Sequence, residues 1–472
     1  MHDEIVPVAV IGGGLAGCEC AMALARAGIR VTLFEMKPVR FSAAHRGDGL
    51  AELVCSNSLR SSDPDAAVGM LKDEMRALDS LVMREALATA VPAGKALAVD
   101  RDEFSARMTR AVAEHPLIRL ERQEIRSLDD PALQGHETIV VAAGPLVSDA
   151  LSQNLAQVLG DEHLYFYDAI APIVSADSID MRVAFRASRY DKSSPVQPGD
   201  EAPAPEEAQE GGDYINCPLN EEQYHAFVAA LVAAEKAPVR EFEKELHFEG
   251  CMPIETLASR GPMTLAFGPF KPVGLRDPRT GLRPFAVLQL RAENREKTCY
   301  NLVGCQTKLK YGEQERAFRL APGLENAEFL RLGSMHRNTF VNAPRVLDER
   351  LQLRARPGVY LAGQITGVEG YVESAACGLW LGLSLAARLL GQELSAPPEE
   401  TALGALLGHL RRPAPKFQPS NVNNGLMPPL PGRMPKKKRK AFYGERGRAS
   451  FQEWLARQAD ILKDLDRENT LS

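Results

Sequence analysis

The sequence predicts an α/β fold in which a Rossmann-like domain with a parallel sheet is interrupted by an inserted α+β domain. Three observations carry this expectation. The chain opens as strand, glycine turn, helix, strand; two more apolar runs that end in glycine, 138–144 and 358–363, stand far downstream; and the stretch between them mixes short strands with helix. Short apolar runs bounded by glycine and proline are the mark of strands buried on both faces, as parallel strands are. One sheet therefore collects strands from both chain ends, which makes the middle an insertion.

The elements follow in order. Residues 6–11 form the first strand, a helix runs from the glycine turn to about Ala27 with Gly28 as its C-cap, and 29–34 form the second strand. The runs 138–144 and 358–363 continue the sheet. In the middle, 221–235 has helical periodicity, and 264–267, 285–290 and 300–303 read as strand pieces. The expected units are 1–150 with 340–395, an insertion over 151–339, and a Pro-rich and basic extension over 396–472. Residues 193–212 hold four prolines, five acids and no Lys or Arg. Such a stretch buries too little to fold, and disorder is expected there. A Pro-rich stretch, 413–435, leads to a lysine run and then to an amphipathic helix at 450–465.

Composition narrows the function classes. At 472 residues, with 45% hydrophobic and 25% charged residues, the chain is neither fibrous nor wholly disordered. No uncharged apolar run reaches the ~18 residues of a membrane span. The best, 374–387, is broken by Gly378 and Gly382 and reads as a buried helix. The N-terminus enters a strand without a basic n-region, so a cytoplasmic protein with no membrane partner is expected. Eight scattered cysteines without a C-x-x-C pair argue against a disulfide framework and against a metal site. The net charge of -6 hides an asymmetry: from Arg411 to Arg448 eleven Lys or Arg face Glu445 alone. A basic stretch of this kind commonly contacts nucleic acid, although a solvated tail has the same composition.

The chemistry begins at Gly12-Gly13-Gly14-Leu15-Ala16-Gly17. Gly12 permits a tight turn, Gly14 lets backbone N–H groups approach a pyrophosphate at the helix N-terminus, and Gly17 lets helix and strand pack closely. Glu35, ending the second strand, is placed to accept from an adenosine ribose hydroxyl. The second glycine-rich turn, Tyr360-Leu-Ala-Gly363-Gln364-Ile-Thr366-Gly367-Val-Glu-Gly-Tyr371, precedes a small-residue helix. Its arrival at the same sheet favours FAD over NAD, with that helix N-terminus directed at the flavin half. Gly363, Gln364, Thr366 and Gly367 join the cofactor candidates.

Two cysteines stand out. Cys55 lies where an apolar run gives way to a polar one, and Cys251 lies in a Gly/Pro turn. A thiolate nucleophile needs an exposed, electropositive setting, which Arg60 and Arg260 are candidates to supply. A buried, inert thiol is the alternative at both positions. Cys217 ranks slightly lower, and Cys18, Cys20, Cys299, Cys305 and Cys377 read as structural.

The assembled motifs resemble the folate- and FAD-dependent tRNA (uracil-5-)-methyltransferases of bacteria. The resemblance rests on residues 10–17, Ala51-Glu-Leu-Val-Cys-Ser-Asn-Ser-Leu-Arg-Ser61, Val91-Pro-Ala-Gly94 with Ala98-Val-Asp-Arg101, Tyr165-Phe-Tyr-Asp-Ala169, Phe248-Glu-Gly-Cys-Met-Pro253, Phe267-Gly-Pro-Phe-Lys-Pro-Val-Gly-Leu275, Met335-His-Arg-Asn-Thr-Phe340 and the string from Gly363 to Ser374. It implies that a methylene group from 5,10-methylenetetrahydrofolate is carried on reduced flavin to C5 of the T-loop uridine of tRNA. NADH or NADPH would supply the electrons, and ribothymidine would be formed. It also implies catalytic roles for Cys251, as nucleophile at uracil C6, and for Cys55, as its partner in proton or flavin handling, with the two roles open to exchange. The stretch 193–212 and the tail beyond about 395 read as additions to the family pattern. Competing expectations are a flavoenzyme that aminomethylates wobble uridines, a small-molecule flavin oxidoreductase, and a tRNA-binding protein with structural FAD.

Overall fold

The computed structural model describes residues 6–42, 44–160, 164–169, 171–189, 212–237, 252–294, 296–333, 335–413, 417–431 and 435–466. A five-stranded, all-parallel sheet runs in the order Val359–Leu361, Ile139–Val141, Val8–Ile11 (β1), Val31–Glu35 (β2), Ile118–Arg122. The chain leaves β1 toward one edge and returns on its other side, so a switch point lies between β1 and Ile139–Val141, where such sheets bind ligands. The α/β reading with an insertion holds, with strands from both chain ends in one sheet.

Helix α1, Leu15–Arg26, is buried along its whole length and is rich in small residues. Its neighbours explain this composition. A Cβ on Gly17 would fall 1.8 Å from the Gly12 carbonyl oxygen, and one on Gly378 would fall 2.1 Å from that of Ala16. The helix Tyr371–Leu389 thus meets α1 backbone to backbone. By length and apolarity this helix could cross a membrane, but 83% of its apolar window is buried inside the protein. It is a core helix, as the interrupted run 374–387 predicts. Gly28, at φ +83°, follows the cap residue Ala27 and turns the chain into β2.

The insertion carries a six-stranded antiparallel sheet in the order Phe185–Ala187, Tyr214–Leu219, Ala286–Ala292, Cys299–Leu302, Ile173–Ser175, Phe329–Arg331. The helix Glu221–Ala233 covers it, opened by a capping box between Asn220 and Gln223. Its Tyr224, Phe227 and Leu231 belong to a core separate from that of the parallel sheet. The paired strands Leu164–Ala169 and Met335–Phe340 carry the chain into and out of the insertion.

Two local expectations change. Thr264–Phe267 is a short helix, not a strand: Leu265 and Ala266 face the core, Phe267 faces solvent, and the Phe270 N–H returns to the Leu265 carbonyl at 2.8 Å. The last helix begins at Lys436, not near residue 450, and runs to Asp464. Lys and Arg are good helix formers, and the helix is docked: Trp454 is buried and its indole N–H donates to Ser395 O at 2.9 Å. Lys440 pairs with Asp63 at 2.5 Å and Arg448 with Asp65 at 3.1 Å. The expected disorder at 193–212 falls, up to residue 211, outside the described residues.

Candidate active site

A cleft opens at the carboxyl ends of β1 and Ile139–Val141, with about 1060 Å³ of empty space including its mouth. Gly12, Gly13, Gly14, Leu15, Ala16, Glu35, Gln364, Tyr371 and Ser374 all line it. Gly12 sits at φ +107°, and a Cβ there would strike Ala142 O at 2.6 Å. At Gly14 a Cβ would meet nothing within 4 Å, so this residue leaves open space. Gly14 is also the N-cap of α1, without a side-chain cap and with no acid in the first turn. The first N–H groups and the positive end of the helix therefore remain available to an anion. Glu35 is buried; its Oε2 accepts from Gly13 N–H at 2.8 Å and its Oε1 from Lys37 N–H at 2.9 Å. A carboxylate has about four acceptor positions, so capacity remains for a hydroxyl donor.

At the other end of the cleft, Ser374 Oγ is buried and has no hydrogen-bond partner. An orphaned hydroxyl in a cleft wall is the mark of a site shaped for a polar ligand. The residues fit FAD: Gly12, Gly13, Gly14, Leu15, Ala16 and Glu35 would hold its adenosine and pyrophosphate part, and Gln364 and Ser374 its flavin part. Gly17 and Gly363 contribute by permitting close packing, since their absent Cβ atoms would strike Gly12 O and the Ala16 Cβ. Thr366 and Gly367 are not part of the lining. Thr366 donates to Gly363 O at 2.8 Å, and Gly367 makes room for the Phe417 ring, 2.4 Å from where a Cβ would stand.

Cys55 lies half-buried at the rim, next to Val54, which lines the cleft. Its backbone N–H donates to the Tyr371 hydroxyl at 2.8 Å, and its Sγ lies 2.9 Å from the same oxygen. Burial, and then charge on Cys55, hold the Tyr371 proton well above the ordinary phenol range. Tyr371 is therefore a phenol at neutral pH, able to donate to a thiolate. The Cys55 loop is clamped between the first residue of the helix Arg101–Ala113 and the insertion strand Ala286–Ala292. Arg101 donates to Leu53 O at 2.7 Å and forms an ion pair with Glu293. Arg291 donates to Ser56 Oγ at 2.7 Å and to Asn57 Oδ1 at 2.9 Å, while Asn57 Nδ2 reaches Ala292 O at 2.9 Å. Burial pushes Arg291 below its usual range, and charge on Glu293 and, to a smaller extent, on Cys55 acts against that shift.

The positive setting of Cys55 thus comes from Arg101 and Arg291. Arg60, the residue nearest in sequence, instead binds the buried Glu373 at 2.6 Å. Arg260 is exposed, and Cys251 lies outside the described residues. Burial pushes the thiols of Cys18, Cys20, Cys217 and Cys305 far up and that of Cys377 to about 11, which leaves them inert. Among the described residues no His, Cys, Asp and Glu cluster could hold a metal ion. Tyr371, Ser374, Arg101, Arg291 and Glu293 are the site residues that the sequence does not single out. Three of them stand inside the strings that carry the family resemblance, which is the signal available for them.

Fold and cleft together define a doubly wound dinucleotide-binding protein in which a cysteine stands where a second sheet meets the cofactor cleft. Comparison with known proteins narrows the class. The family model described as "Glucose inhibited division protein A" matches residues 7–393. The "Methylenetetrahydrofolate--tRNA-(uracil-5-)-methyltransferase TrmFO" of Oleidesulfovibrio alaskensis is 64% identical over 452 residues, which cover 96% of this chain and 98% of that protein. The protein of the same name from Geobacter sulfurreducens is 56% identical, over 95% of this chain and 99% of its own length. The chain belongs to this family. The solved structure of Aquifex aeolicus GidA shares the fold, with a TM-score of 0.65 at 17% identity over 98% of this chain and 76% of that one. An alignment covering 96% of the chain takes in most of the segment past 395, so that segment is shared with the relative, whereas the family model ends at residue 393.

Proposed function

We propose that this protein is an FAD- and folate-dependent tRNA (uracil-5-)-methyltransferase that converts the T-loop uridine of tRNA to ribothymidine. Its one-carbon donor is 5,10-methylenetetrahydrofolate, and NADH or NADPH is the electron source. The single observation that carries the chemistry is Cys55 at the rim of the dinucleotide cleft, held against Tyr371 with Arg101 and Arg291 behind it. The names and identities of the full-length relatives support the same reading over wobble-uridine aminomethylation or small-molecule oxidation. Bound FAD supplies the redox and one-carbon chemistry.

The chain's own residues do the rest. Uracil C5 becomes nucleophilic only after a thiolate adds at C6, and Cys251 is the assigned nucleophile. Cys55 handles the proton at C5, with Tyr371 as its hydrogen-bond partner and the two arginines favouring its thiolate. Clamping of the Cys55 loop by Arg291 and Asn57 fixes the thiol against the cofactor cleft. The T-loop base must leave its stack to reach this rim.

The test is methyl incorporation into an unmodified tRNA transcript, with purified protein, FAD, NADPH and labelled methylenetetrahydrofolate. The expected result is label in T-loop ribothymidine, lost in Cys251→Ala and in Cys55→Ala. Oxidation of NADPH without label in RNA, despite bound flavin, would point to the small-molecule oxidoreductase.

A further inference from the structure

The segment from Arg260 to Arg283 on the inserted domain carries five Lys or Arg against Asp277 alone, in a chain whose net charge is -6. All five cations are exposed, and Asp277 is already paired with Arg279 at 2.7 Å. The same segment presents the most exposed large apolar side chain described, Phe267 at 80%, with Leu282 at 69%. A lone exposed apolar residue needs no explanation, but a rigid aromatic set among cations differs from one on a loose loop.

The segment is rigid from beneath. Phe270 is fully buried, and its carbonyl accepts from Val287 N–H at 2.9 Å, tying the turn to the sheet. Ala266 N–H donates to the Tyr224 hydroxyl at 3.1 Å. The second turn closes on itself, with Asp277 N–H to Leu282 O at 2.9 Å and Gly281 N–H to Asp277 O at 2.8 Å. An aromatic on a backbone held this way gives up only its side-chain freedom when a flat ligand covers it.

Its position links it to the cleft. Arg189 binds Gln289 Oε1 at 2.8 Å and donates to Val273 O at 3.3 Å, at the end of the Phe267 turn. Gln289 and Arg291 are two residues apart on the strand Ala286–Ala292 and so share one face, about 7 Å apart along it. Arg291 holds Ser56 and Asn57, next to Cys55. One polar row on one sheet face therefore runs from the Cys55 loop to the basic, aromatic turn.

We infer that the segment from Arg260 to Arg283 is an RNA-binding platform, in which Phe267 stacks on an unpaired base and Lys271, Arg276 and Arg283 contact phosphates flanking the target nucleotide. The inference rests on the tRNA reading above and adds to it the surface that receives the RNA. Stacked aromatics beside cations are how single-stranded RNA is held without regard to much of its sequence.

The test uses the full-length holoenzyme and an unmodified tRNA transcript, with affinity measured over a range of salt and the methyl transfer assay run on the same preparations. Phe267→Ala is expected to weaken RNA binding about tenfold, and Phe267→Trp to restore it. The double variant Arg276→Gln with Arg283→Gln is expected to flatten the salt slope by about 0.7 to 0.9 for each phosphate no longer neutralised. Affinity within twofold of wild type for Phe267→Ala, together with an unchanged slope for the double variant, would overturn the platform while an active wild type kept the methyltransferase reading. A raised KM for methylenetetrahydrofolate with unchanged RNA affinity would also overturn it, by assigning the cations to the folate's acidic tail. A wild-type protein that neither binds nor methylates tRNA would overturn both readings.

Discussion

The two ends of the cleft are made of different materials. At the α1 end the working parts are backbone: Gly12, Gly14 and Gly17 remove side chains so that carbonyls, N–H groups and a helix terminus come close. At the Cys55 end they are charged and polar side chains joining the Cys55 loop to a helix start and to the insertion sheet, with Arg101, Arg291, Glu293 and Asn57 all mostly or fully buried. A backbone site tolerates almost no added volume, and a buried charge site tolerates almost no missing partner. The failures of the two ends should therefore differ in kind.

The largest effect is expected at the charged end. Arg101→Met leaves Glu293 buried without its cation, a loss of about 3 to 5 kcal/mol for a buried pair broken on one side. Urea denaturation should show it as a lowered midpoint. Arg101→Met with Glu293→Gln should recover much of the loss, because the stranded charge goes too. No recovery in the double variant would mean that Arg101 acts through its bonds to the Cys55 loop and not through the pair.

At the backbone end, Gly17→Ala places a Cβ against the Gly12 carbonyl, where only the main chain can yield. About 3 kcal/mol of destabilisation is expected, together with loss of bound flavin. Gly14→Ala is the contrast: with nothing within 4 Å of the new Cβ, the fold should keep its melting temperature while flavin content falls. Equal melting losses in both variants would remove the distinction between a packing glycine and a ligand-facing one.

This difference in materials also explains what could be read from the sequence. Gly12, Gly14 and Gly17 are close together in the chain, so their roles follow from spacing and flanking strands alone. The Cys55–Tyr371 contact joins positions 316 apart and the Arg291–Asn57 contact positions 234 apart, and no local pattern announces either. Proximity in sequence points Arg60 at Cys55, whereas its φ of +66° and its bond to Glu373 commit it elsewhere. Short apolar runs such as Thr264–Phe267 are ambiguous because one helical turn and a brief strand look alike. The lysine run reads as a tail until Asp63 and Asp65 supply the partners that dock it.

A smaller effect is expected where the thiol meets its phenol. Tyr371→Phe removes the hydroxyl that accepts from the Cys55 thiol and can donate to its thiolate, but leaves the ring to fill the same space. Methyl transfer should fall about tenfold, the value of one charge-assisted hydrogen bond of ~1.4 kcal/mol. Alkylation of Cys55 by iodoacetamide at neutral pH, followed by peptide mapping, should slow with it. Unchanged alkylation with impaired transfer would place the role of Tyr371 on the substrate and not on the thiol.

The smallest effect is a pH dependence at Glu373. Glu373, on the first turn of the helix Tyr371–Leu389, is fully buried; burial raises its pKa, with Arg60 acting against that rise. Its Oε1 accepts from Arg60 and from Val422 N–H at 3.1 Å, while its Oε2 has no partner. Because the folded value is raised above the unfolded one, the folded state holds the proton more tightly. The stability this contributes is full below the ordinary carboxylate range and is lost as pH rises toward the folded value. Wild-type protein should therefore lose stability faster than Glu373→Gln as pH climbs from about 4.5, by at most about 1.4 kcal/mol per unit for one proton. Parallel stability curves for the two proteins would show that Arg60 keeps Glu373 ionised in the fold.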